Sequence, residues 1–499
     1  MNWVMRRFGF LLAGILSGDC RVFSVFAFLV PFVVRALPEL LMGGYLTGFD
    51  TISYYVPITL KWVNYGVGFW EFFGVAPLLY VLLSGLTLAG VPLVVSLKVL
   101  PPLLHGFLGL AVFTYASEGL KWSLRKSLLV SLIATLYFVG LRISWDMLRS
   151  ELGLIFLFVF LVMLQRYASS FSWRRFSALL FFGVLVVLAH QLVSVVMFVI
   201  VFAMVLERRL KRDYSFVRRV FAACLPAIAL FLLTAYADIV VLPGSTDWLV
   251  ASGQSAWLNL MGFSSLSDGL VNAVGFLLFC YFPLFPFAFL GIRGFSGLSL
   301  KVWVVWCLIG VLLPFFFVFA PLSYRWILLL VFPLAFFAVE GFERLRFRLL
   351  KGVLAGFMVF LSFSFVFLPA EAAFPYFSLY HSYVPSSMLQ NSVALDDCKD
   401  VVAVLSWAEN NFDDGDVLLV HDAFYGWALL YAGCVRIVCY GYASPEDAVL
   451  AFLQAGKSRI YLIWWVSGNG WQSLASYPKM FKEVYSSGRM ALYEFEAEI

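Results

Sequence analysis

Ionisable side chains stand between long apolar segments at four separated places in the chain. They are an aspartate in Gly48–Tyr55, a charged cluster at residues 142–151, the His190-Gln191 pair and Arg325. Charged groups beside a membrane core are costly and usually serve a function. A carboxylate can accept a proton from a hydroxyl group, and an arginine can bind a phosphate through two parallel hydrogen bonds. Together these residue types predict acid–base chemistry next to a phosphate-binding site.

The composition indicates the solvent in which these side chains are positioned. Of 499 residues, 63% are hydrophobic and 13% are charged, and the mean hydropathy is +0.94. Ordinary soluble domains carry about 25% charged residues. Apolar runs of about 20 residues, enough to cross a bilayer as a helix, recur through residues 1–370. We therefore expect a polytopic α-helical protein of the cell membrane, with the lipid bilayer and no nucleic acid as a partner.

Clusters of Lys and Arg predict how the spans are oriented. Short loops that are rich in these residues stay in the cytoplasm, so an even number of crossings must separate neighbouring clusters. The clusters lie at residues 6–21, 121–126, 166–175, 208–219, 293–301 and 343–351. The apolar segment 176–206 lies between two of them and must form a hairpin that turns at His190-Gln191. This predicts about eleven transmembrane helices and a cytoplasmic N-terminus.

The same topology brings the four charged positions to the non-cytoplasmic face. Residues 42–90 become a long outer loop, in which Val75–Leu88 is predicted to lie along the membrane interface rather than to cross it. The transmembrane domain is predicted to cover residues 1–370. Everything functional in this interpretation depends on the convergence of distant loops at one face.

Residues 371–499 are predicted to form a soluble α/β domain on the extracytoplasmic side. Apolar strands are expected at Val417–Val420, Val435–Tyr440, Arg459–Val466 and Met490–Phe495. Helices are expected at Ala423–Ala432, at Pro445–Gln454 and between the last two strands. Strands that alternate with helices are typical of an α/β layer. The sequence contains no glycine-rich nucleotide loop, so we assign no nucleotide to this domain.

The residue types suggest individual roles in the predicted site. Asp50 and Asp146 are the candidate catalytic carboxylates. The arginines that would bind the phosphate of a donor are Arg325, Arg149 and Arg142. The side chains that could serve an acceptor or a metal are His190, Glu151 and Tyr54. A Mg²⁺ or Mn²⁺ cofactor is left open because no compact ligand motif is present.

Structural roles compete with these chemical ones at the same positions. Asp50 could cap a helix through the amide of Ser53. Asp146 could pair with Arg142 or Arg149 at helical spacing, and Arg325 could extend toward the interface without binding anything. Arg35 and Glu39 have the spacing of an ion pair within one helix.

Several of these segments resemble the GT-C superfamily of polytopic glycosyltransferases that use polyprenyl-phosphate-linked sugars. Arg35–Glu39, Gly48–Tyr55 and Ala76–Leu83 are similar to the first outer loop of that family, and Arg325-Trp326 with Pro333 is similar to the pattern that opens a late span. The resemblance is greatest to uncharacterised archaeal members, which share a stretch like Arg142–Asp146.

The resemblance implies particular roles for these residues. Asp50 would be the catalytic carboxylate that follows the first span, and Asp146 or Glu151 would be a second acidic residue. A helix would lie flat in the first outer loop, in agreement with the interpretation of Val75–Leu88. Asp50 stands alone, however, where many relatives carry adjacent acidic residues.

The resemblance also implies the activity that we expect. The chain would transfer a sugar from a dolichyl- or polyprenyl-phosphate donor to a glycan, lipid or protein acceptor at the extracytoplasmic face. The expected reaction is an inverting displacement at the anomeric carbon. Two other functions stay open from the residues alone. One is a transporter or flippase of lipid-linked sugars, and the other is a catalytically inactive relative that acts as a scaffold.

Overall fold

A computed structural model gives the architecture of most of the chain. It describes residues 19–241, 265–295, 297–316, 323–370, 380, 383–413, 415–433, 435–441, 449, 459–466 and 481–495. The predicted helix at Pro445–Gln454 lies almost entirely outside the described residues.

Helices dominate the first 370 residues. The first half contains α1 (Cys20–Leu41), α2 (Val56–Tyr65), α3 (Phe69–Gly74), α4 (Leu78–Leu88), α5 (Leu93–Thr114), α6 (Leu124–Leu136), α7 (Phe138–Asp146), α8 (Leu148–Ser169), α9 (Trp173–Ala189) and α10 (Gln191–Leu210). The second half contains α11 (Tyr214–Val241), α12 (Leu266–Tyr281), α13 (Phe285–Ile292), α14 (Leu298–Phe316), α15 (Ser323–Leu329), α16 (Val331–Arg344) and α17 (Arg348–Phe367). Two π-helical turns, at Thr51–Tyr55 and Tyr115–Gly119, interrupt the first half.

Several of these helices can cross a bilayer, so the protein is a multi-pass membrane protein. Seven of the described helices are long and apolar enough to span, and the number becomes nine if each of two bent pairs is one span. The bent pairs are α6 with α7, at 58°, and α12 with α13, at 89°. The count of eleven stays a prediction.

The predicted interfacial element of the first outer loop is a short helix. α4 has 11 residues, which gives about 16 Å of helix at 1.5 Å per residue. The hydrocarbon core of a bilayer is about 30 Å thick, so this helix is too short to cross it. A positive φ of 89° at Gly90 follows the helix and turns the chain toward α5.

Two helices, α9 and α10, occupy the segment 176–206 that was predicted to form a hairpin. The break falls at His190, which has extended backbone angles of φ −164° and ψ 125°. Its amide donates to the carbonyl of Val186, and its own carbonyl accepts from Ser194. One residue therefore ends one helix and begins the next.

Close helix contacts form the core of the bundle. α16 is buried along most of its length, and it packs against α13 where Gly291 and Gly341 face each other. A Cβ atom at either glycine would overlap a backbone carbonyl of the opposing helix. Small residues at such crossings allow two backbones to approach closely in a membrane protein.

A five-stranded sheet occupies the C-terminal part. The strands are β1 (Val417–His421), β2 (Arg436–Gly441), β3 (Ile460–Trp465), β4 (Phe481–Ser487) and β5 (Met490–Phe495), in the order β2-β1-β3-β5-β4. β1 is parallel to β2 and β3, whereas β5 is antiparallel to β3 and β4. The helices are α18 (Leu395–Asn411) and α19 (Asp422–Tyr431).

The sheet agrees with the strands and the first helix predicted for this region, with two additions. β4 occupies residues for which only a helix was predicted before the last strand, and residues 467–480 lie outside the described part. α18 was not predicted. The limits of the predicted domains at residue 370 and the side of the membrane on which the sheet lies stay predictions.

Candidate functional site

Asp50 lies immediately before the π-helical turn Thr51–Tyr55 and is half-buried. Its side chain makes no capping hydrogen bond to that turn, so the capping role considered for it is not observed. The hydroxyl of Ser53 instead donates to the backbone carbonyl of Asp422, at 3.2 Å. The Asp50 carboxylate is thus left available for other partners.

Asp146 ends α7 and is buried, with 4% of its surface exposed. It forms an ion pair with Arg142 one helical turn earlier, as the spacing predicted. Arg142 also donates from Nε to the carbonyl of Tyr383, at 2.6 Å. These contacts occupy Arg142, one of the three arginines predicted to bind phosphate, and orient the carboxyl group of Asp146.

The segment that carries Asp50 packs directly on the end of α7. Tyr55 donates from its hydroxyl to the backbone carbonyl of Asp146, at 2.7 Å. Gly48 has a φ of +92°, and a Cβ atom there would overlap the carbonyl of Trp145. Glycine is required here by both its backbone conformation and the close approach. The two candidate carboxylates are therefore held in a fixed relation.

A chain segment near residue 390 fastens the same two elements. The carbonyl of Gln390 accepts from the amide of Gly48, at 3.1 Å, and from the indole nitrogen of Trp145, at 3.0 Å. Asn391 donates to the carbonyl of Leu46, at 2.8 Å. One carbonyl thus bridges the first outer loop and α7.

Arg35 forms a further link beneath this contact. It is fully buried and pairs with Glu39, at 2.9 Å. It also donates to the carbonyl of Ser144, at 3.0 Å, and to the hydroxyl of Thr47, at 2.9 Å. The predicted pair within α1 is therefore present, and its arginine additionally connects α1 to α7 and to the outer loop.

Lys98 of α5 completes this network. Its ammonium group lies 3.5 Å from a carboxylate oxygen of Glu39 and donates to the carbonyl of Tyr45, at 2.7 Å. Two cations thus share one buried carboxylate, and both also hold the outer loop that leads to Asp50.

Arg325 and Arg149 bring positive charge to the carboxylates. Arg325, in α15, interacts electrostatically with Asp50 and Asp146 and donates to the hydroxyl of Tyr324, at 3.2 Å. Arg149, in α8, also interacts with Asp50. It donates to the carbonyl of Val75, at 2.5 Å. Residues from four distant parts of the sequence are therefore electrostatic neighbours.

Tyr54 connects this group to the C-terminal sheet. Tyr54 is 44% exposed. Its partial burial raises the pKa of the hydroxyl to about 12, and the negative charges of Asp50 and Asp422 act in the same direction, whereas Arg325 opposes them. The hydroxyl is therefore neutral at physiological pH. A neutral phenol can donate a hydrogen bond but cannot accept a proton as a base.

His190 and Glu151 differ in their surroundings. His190 is a neighbour of Arg149 and Arg325 and so belongs to the same cluster. Glu151 is fully buried and lies 2.6 Å from Nδ1 of His105. The other ring nitrogen of His105 lies 3.0 Å from the carbonyl of Thr135. Glu151 is thus engaged inside the helix bundle.

The carboxylates considered as metal ligands are engaged in ion pairs. In the described parts of the chain, no group of three or more His, Cys, Asp or Glu side chains could hold a metal ion. Asp146 is paired with Arg142, and Glu151 with His105. The Mg²⁺ or Mn²⁺ ion stays a prediction with no ligand set among these residues.

Asp422, Gln390 and His105 make contacts described above but are not among the predicted site residues. Asp422 directly follows an apolar strand, a place where ligand-binding groups occur in α/β sheets. For Gln390, the contacts are made by its backbone carbonyl, which leaves no trace in the residue type.

The fold resembles those of two solved proteins. ArnT from Cupriavidus metallidurans, solved bound to undecaprenyl phosphate, aligns with a TM-score of 0.54 and 12% identity over 97% of this chain and 99% of that one. The arabinofuranosyltransferase AftD from mycobacteria aligns with a TM-score of 0.52 and 13% identity over 94% of this chain and 40% of AftD. At these identities the two alignments show a similarity of fold. No protein-family model and no curated protein sequence matches the chain.

Proposed function

We propose that this protein is a membrane glycosyltransferase that takes a sugar from a polyprenyl- or dolichyl-phosphate-linked donor. The main support is the convergence of Asp50, Asp146, Arg149 and Arg325 as electrostatic neighbours. A second support is the fold, which resembles that of ArnT bound to undecaprenyl phosphate. The acceptor is a glycan, lipid or protein that offers a nucleophile at the extracytoplasmic face.

The reaction follows from the types of the residues. The nucleophilic atom of the acceptor forms a bond to the anomeric carbon of the sugar. At the same time Asp50 accepts the proton that this atom carried. The bond from this carbon to the phosphate oxygen breaks, and its electron pair leaves with the phosphate. Arg325 and Arg149 stabilise the negative charge that develops on the leaving phosphate. Attack opposite to the leaving group inverts the anomeric configuration.

Asp146 and Arg142 have a positioning role in this proposal. Arg142 holds the carboxylate of Asp146 by an ion pair and is itself tied to the carbonyl of Tyr383. The negative charge of Asp146 lies near Asp50 and Arg325. It therefore helps to orient Arg325 toward the donor and keeps the site from carrying an excess of positive charge.

The test is transfer by the purified protein in liposomes that contain polyprenyl-phosphate sugars. We expect Asp50→Asn to lower transfer by about 10²- to 10⁴-fold, the usual contribution of a general base. Asp19→Asn is the matched control, because Asp19 is exposed and precedes α1. Donor binding and folding should be retained in both variants. Undiminished transfer by Asp50→Asn would exclude Asp50 as the base.

The same experiment addresses the two other functions. Movement of the lipid-linked sugar across the bilayer without transfer would favour a flippase, and binding of polyprenyl phosphate without either activity would favour a scaffold. No contact among the described residues specifically favours these two functions.

A further inference from the structure

The N-terminus of α10 lies in the cluster of charged residues, and the reaction proposed above does not use it. The helix has 20 residues and begins after His190. The first amide groups of any helix lack partners within that helix, and its N-terminal end carries a partial positive charge. The side chain of His190 makes no hydrogen bond that caps these amides. Their partner would have to come from outside the helix.

His190 itself presents a buried polar atom without a partner. Only 8% of the residue is exposed, and Nδ1 has no hydrogen-bond partner among the described residues. Packing keeps the residue in place, since a Cβ atom on Gly153 of α8 would lie 3.2 Å from Cβ of His190. Buried polar atoms in folded proteins are usually satisfied, so this nitrogen is a place where a ligand or a water molecule can bind.

The charges around this atom determine which kind of ligand fits. The charged groups that act on His190 are Arg149 and Arg325. Two guanidinium groups and a helix N-terminus repel a metal cation and attract an anion. This argues against the metal-binding role that the sequence left open for His190.

We propose that His190, the N-terminus of α10, Arg149 and Arg325 form one binding site for a phosphate group. The imidazole donates a hydrogen bond from Nδ1 to one phosphate oxygen. The amides at the start of α10 and the two arginines bind the other phosphate oxygens. This inference rests on the proposed function, within which the site holds the phosphate that the donor releases. It adds His190 and the helix end to the arginines predicted from the sequence.

Direct binding tests the proposal without any requirement for transfer. The full-length protein in nanodiscs is titrated with undecaprenyl phosphate, with undecaprenol and with inorganic phosphate. We expect His190→Leu to weaken binding of undecaprenyl phosphate by about 10- to 100-fold, as for loss of a hydrogen bond to a charged group. His190→Asn, which keeps an N–H donor near the position of Nδ1, should bind within about threefold of wild type. Binding of undecaprenol should be the same in all variants.

Gln191→Ala is the matched control. Gln191 is the next residue, and its side-chain amide donates to the carbonyl of Thr234, at 3.4 Å, rather than to the charged cluster. The substitution keeps the backbone amide of this residue. If the site binds phosphate from any source, inorganic phosphate should compete with the lipid, and His190→Leu should weaken this competition. If the site requires a phosphate that is attached to the lipid, inorganic phosphate should not compete. In that case His190→Leu should weaken only the binding of undecaprenyl phosphate.

Two results would overturn the inference. One is equal affinity of wild type and His190→Leu for undecaprenyl phosphate while the variant remains folded. The other is binding of Mn²⁺ that depends on His190. A protein that binds the lipid phosphate through His190 but transfers no sugar would refute the proposed function and leave this site intact, so the two failures can be distinguished.

Discussion

At the scale of single residues, Tyr54 lies between carboxylates from two parts of the chain. Its pKa of about 12, raised by burial and then by Asp50 and Asp422, keeps its hydroxyl protonated from acidic pH to well above pH 9. We therefore expect Tyr54→Phe to lower transfer by about 2- to 12-fold, the contribution of one neutral hydrogen bond. The dependence of the rate on pH between 6 and 9 should not change.

The check for this prediction is a pair of pH–rate profiles, with Tyr65→Phe as the control because Tyr65 is 85% exposed. An alkaline limb that is present in the wild-type profile and missing from that of Tyr54→Phe would mean that the hydroxyl ionises within this range. In that case the assigned protonation state would be wrong.

Residue types and their spacing alone predict part of this site. The pairs Arg142–Asp146 and Arg35–Glu39 follow from helical spacing, because side chains four residues apart meet on one face of a helix. The hydrogen bond from Ser53 to the carbonyl of Asp422 joins residues 369 positions apart. No local pattern encodes such a contact, since it depends on how the C-terminal sheet packs on the outer loop.

At the scale of secondary-structure elements, the network around Arg35 holds the outer loop against α7. Arg35→Met alone leaves Glu39 buried with only Lys98 as its cationic partner, and we expect a loss of about 3–5 kcal/mol in stability. In the double variant Arg35→Met/Glu39→Gln the buried carboxylate is also removed, so most of this stability should return. Transfer should stay about 10²-fold low, because the loop loses its anchors at Ser144 and Thr47.

Thermal unfolding, transfer rates and hydrogen exchange of residues 45–50 separate these effects. The double variant should exchange faster at residues 45–50 than wild type, even where its unfolding temperature is close to that of wild type. Hydrogen exchange at residues 45–50 that is the same in the double variant and in wild type would contradict this prediction. So would a double variant that recovers both its stability and its full transfer rate, because Arg35 would then contribute to stability alone.

The elements that the sequence failed to predict have physical explanations. In β4 the side chains of Lys482 and Glu483 are exposed and the strand lies at the edge of the sheet, so it lacks the apolar pattern of a buried strand. In α18 the apolar stripe is present but is diluted by acidic and amide residues. The long apolar helices were predicted because their composition alone requires a membrane.

At the scale of the whole molecule, one face of the C-terminal sheet and the segment that follows Asp50 share one apolar cluster. Tyr55 and Tyr80 of the outer loop and Trp427 and Trp465 of the C-terminal part belong to the same buried cluster. The contact also brings Asp422 near Tyr54. The sheet therefore supports the loop that carries Asp50. A change in the packing of the sheet on this loop should lower the rate of transfer without changing the binding of the donor phosphate.

Gly426 is the sharpest probe of this coupling. A Cβ atom at Gly426 of α19 would overlap the backbone carbonyl of Ile52, inside the π-helical turn that follows Asp50, whereas one at Gly433 would meet only the carbonyl of Leu429 at 3.9 Å. Because two backbones must separate, Gly426→Ala should displace Asp50 and lower kcat by about 10²-fold, as expected for a shift of about 1 Å. Its affinity for undecaprenyl phosphate should match that of the Gly433→Ala control, since the phosphate-binding groups lie on α8, α10 and α15. Equal kcat values for the two variants would mean that the sheet can move without moving the proposed base, Asp50.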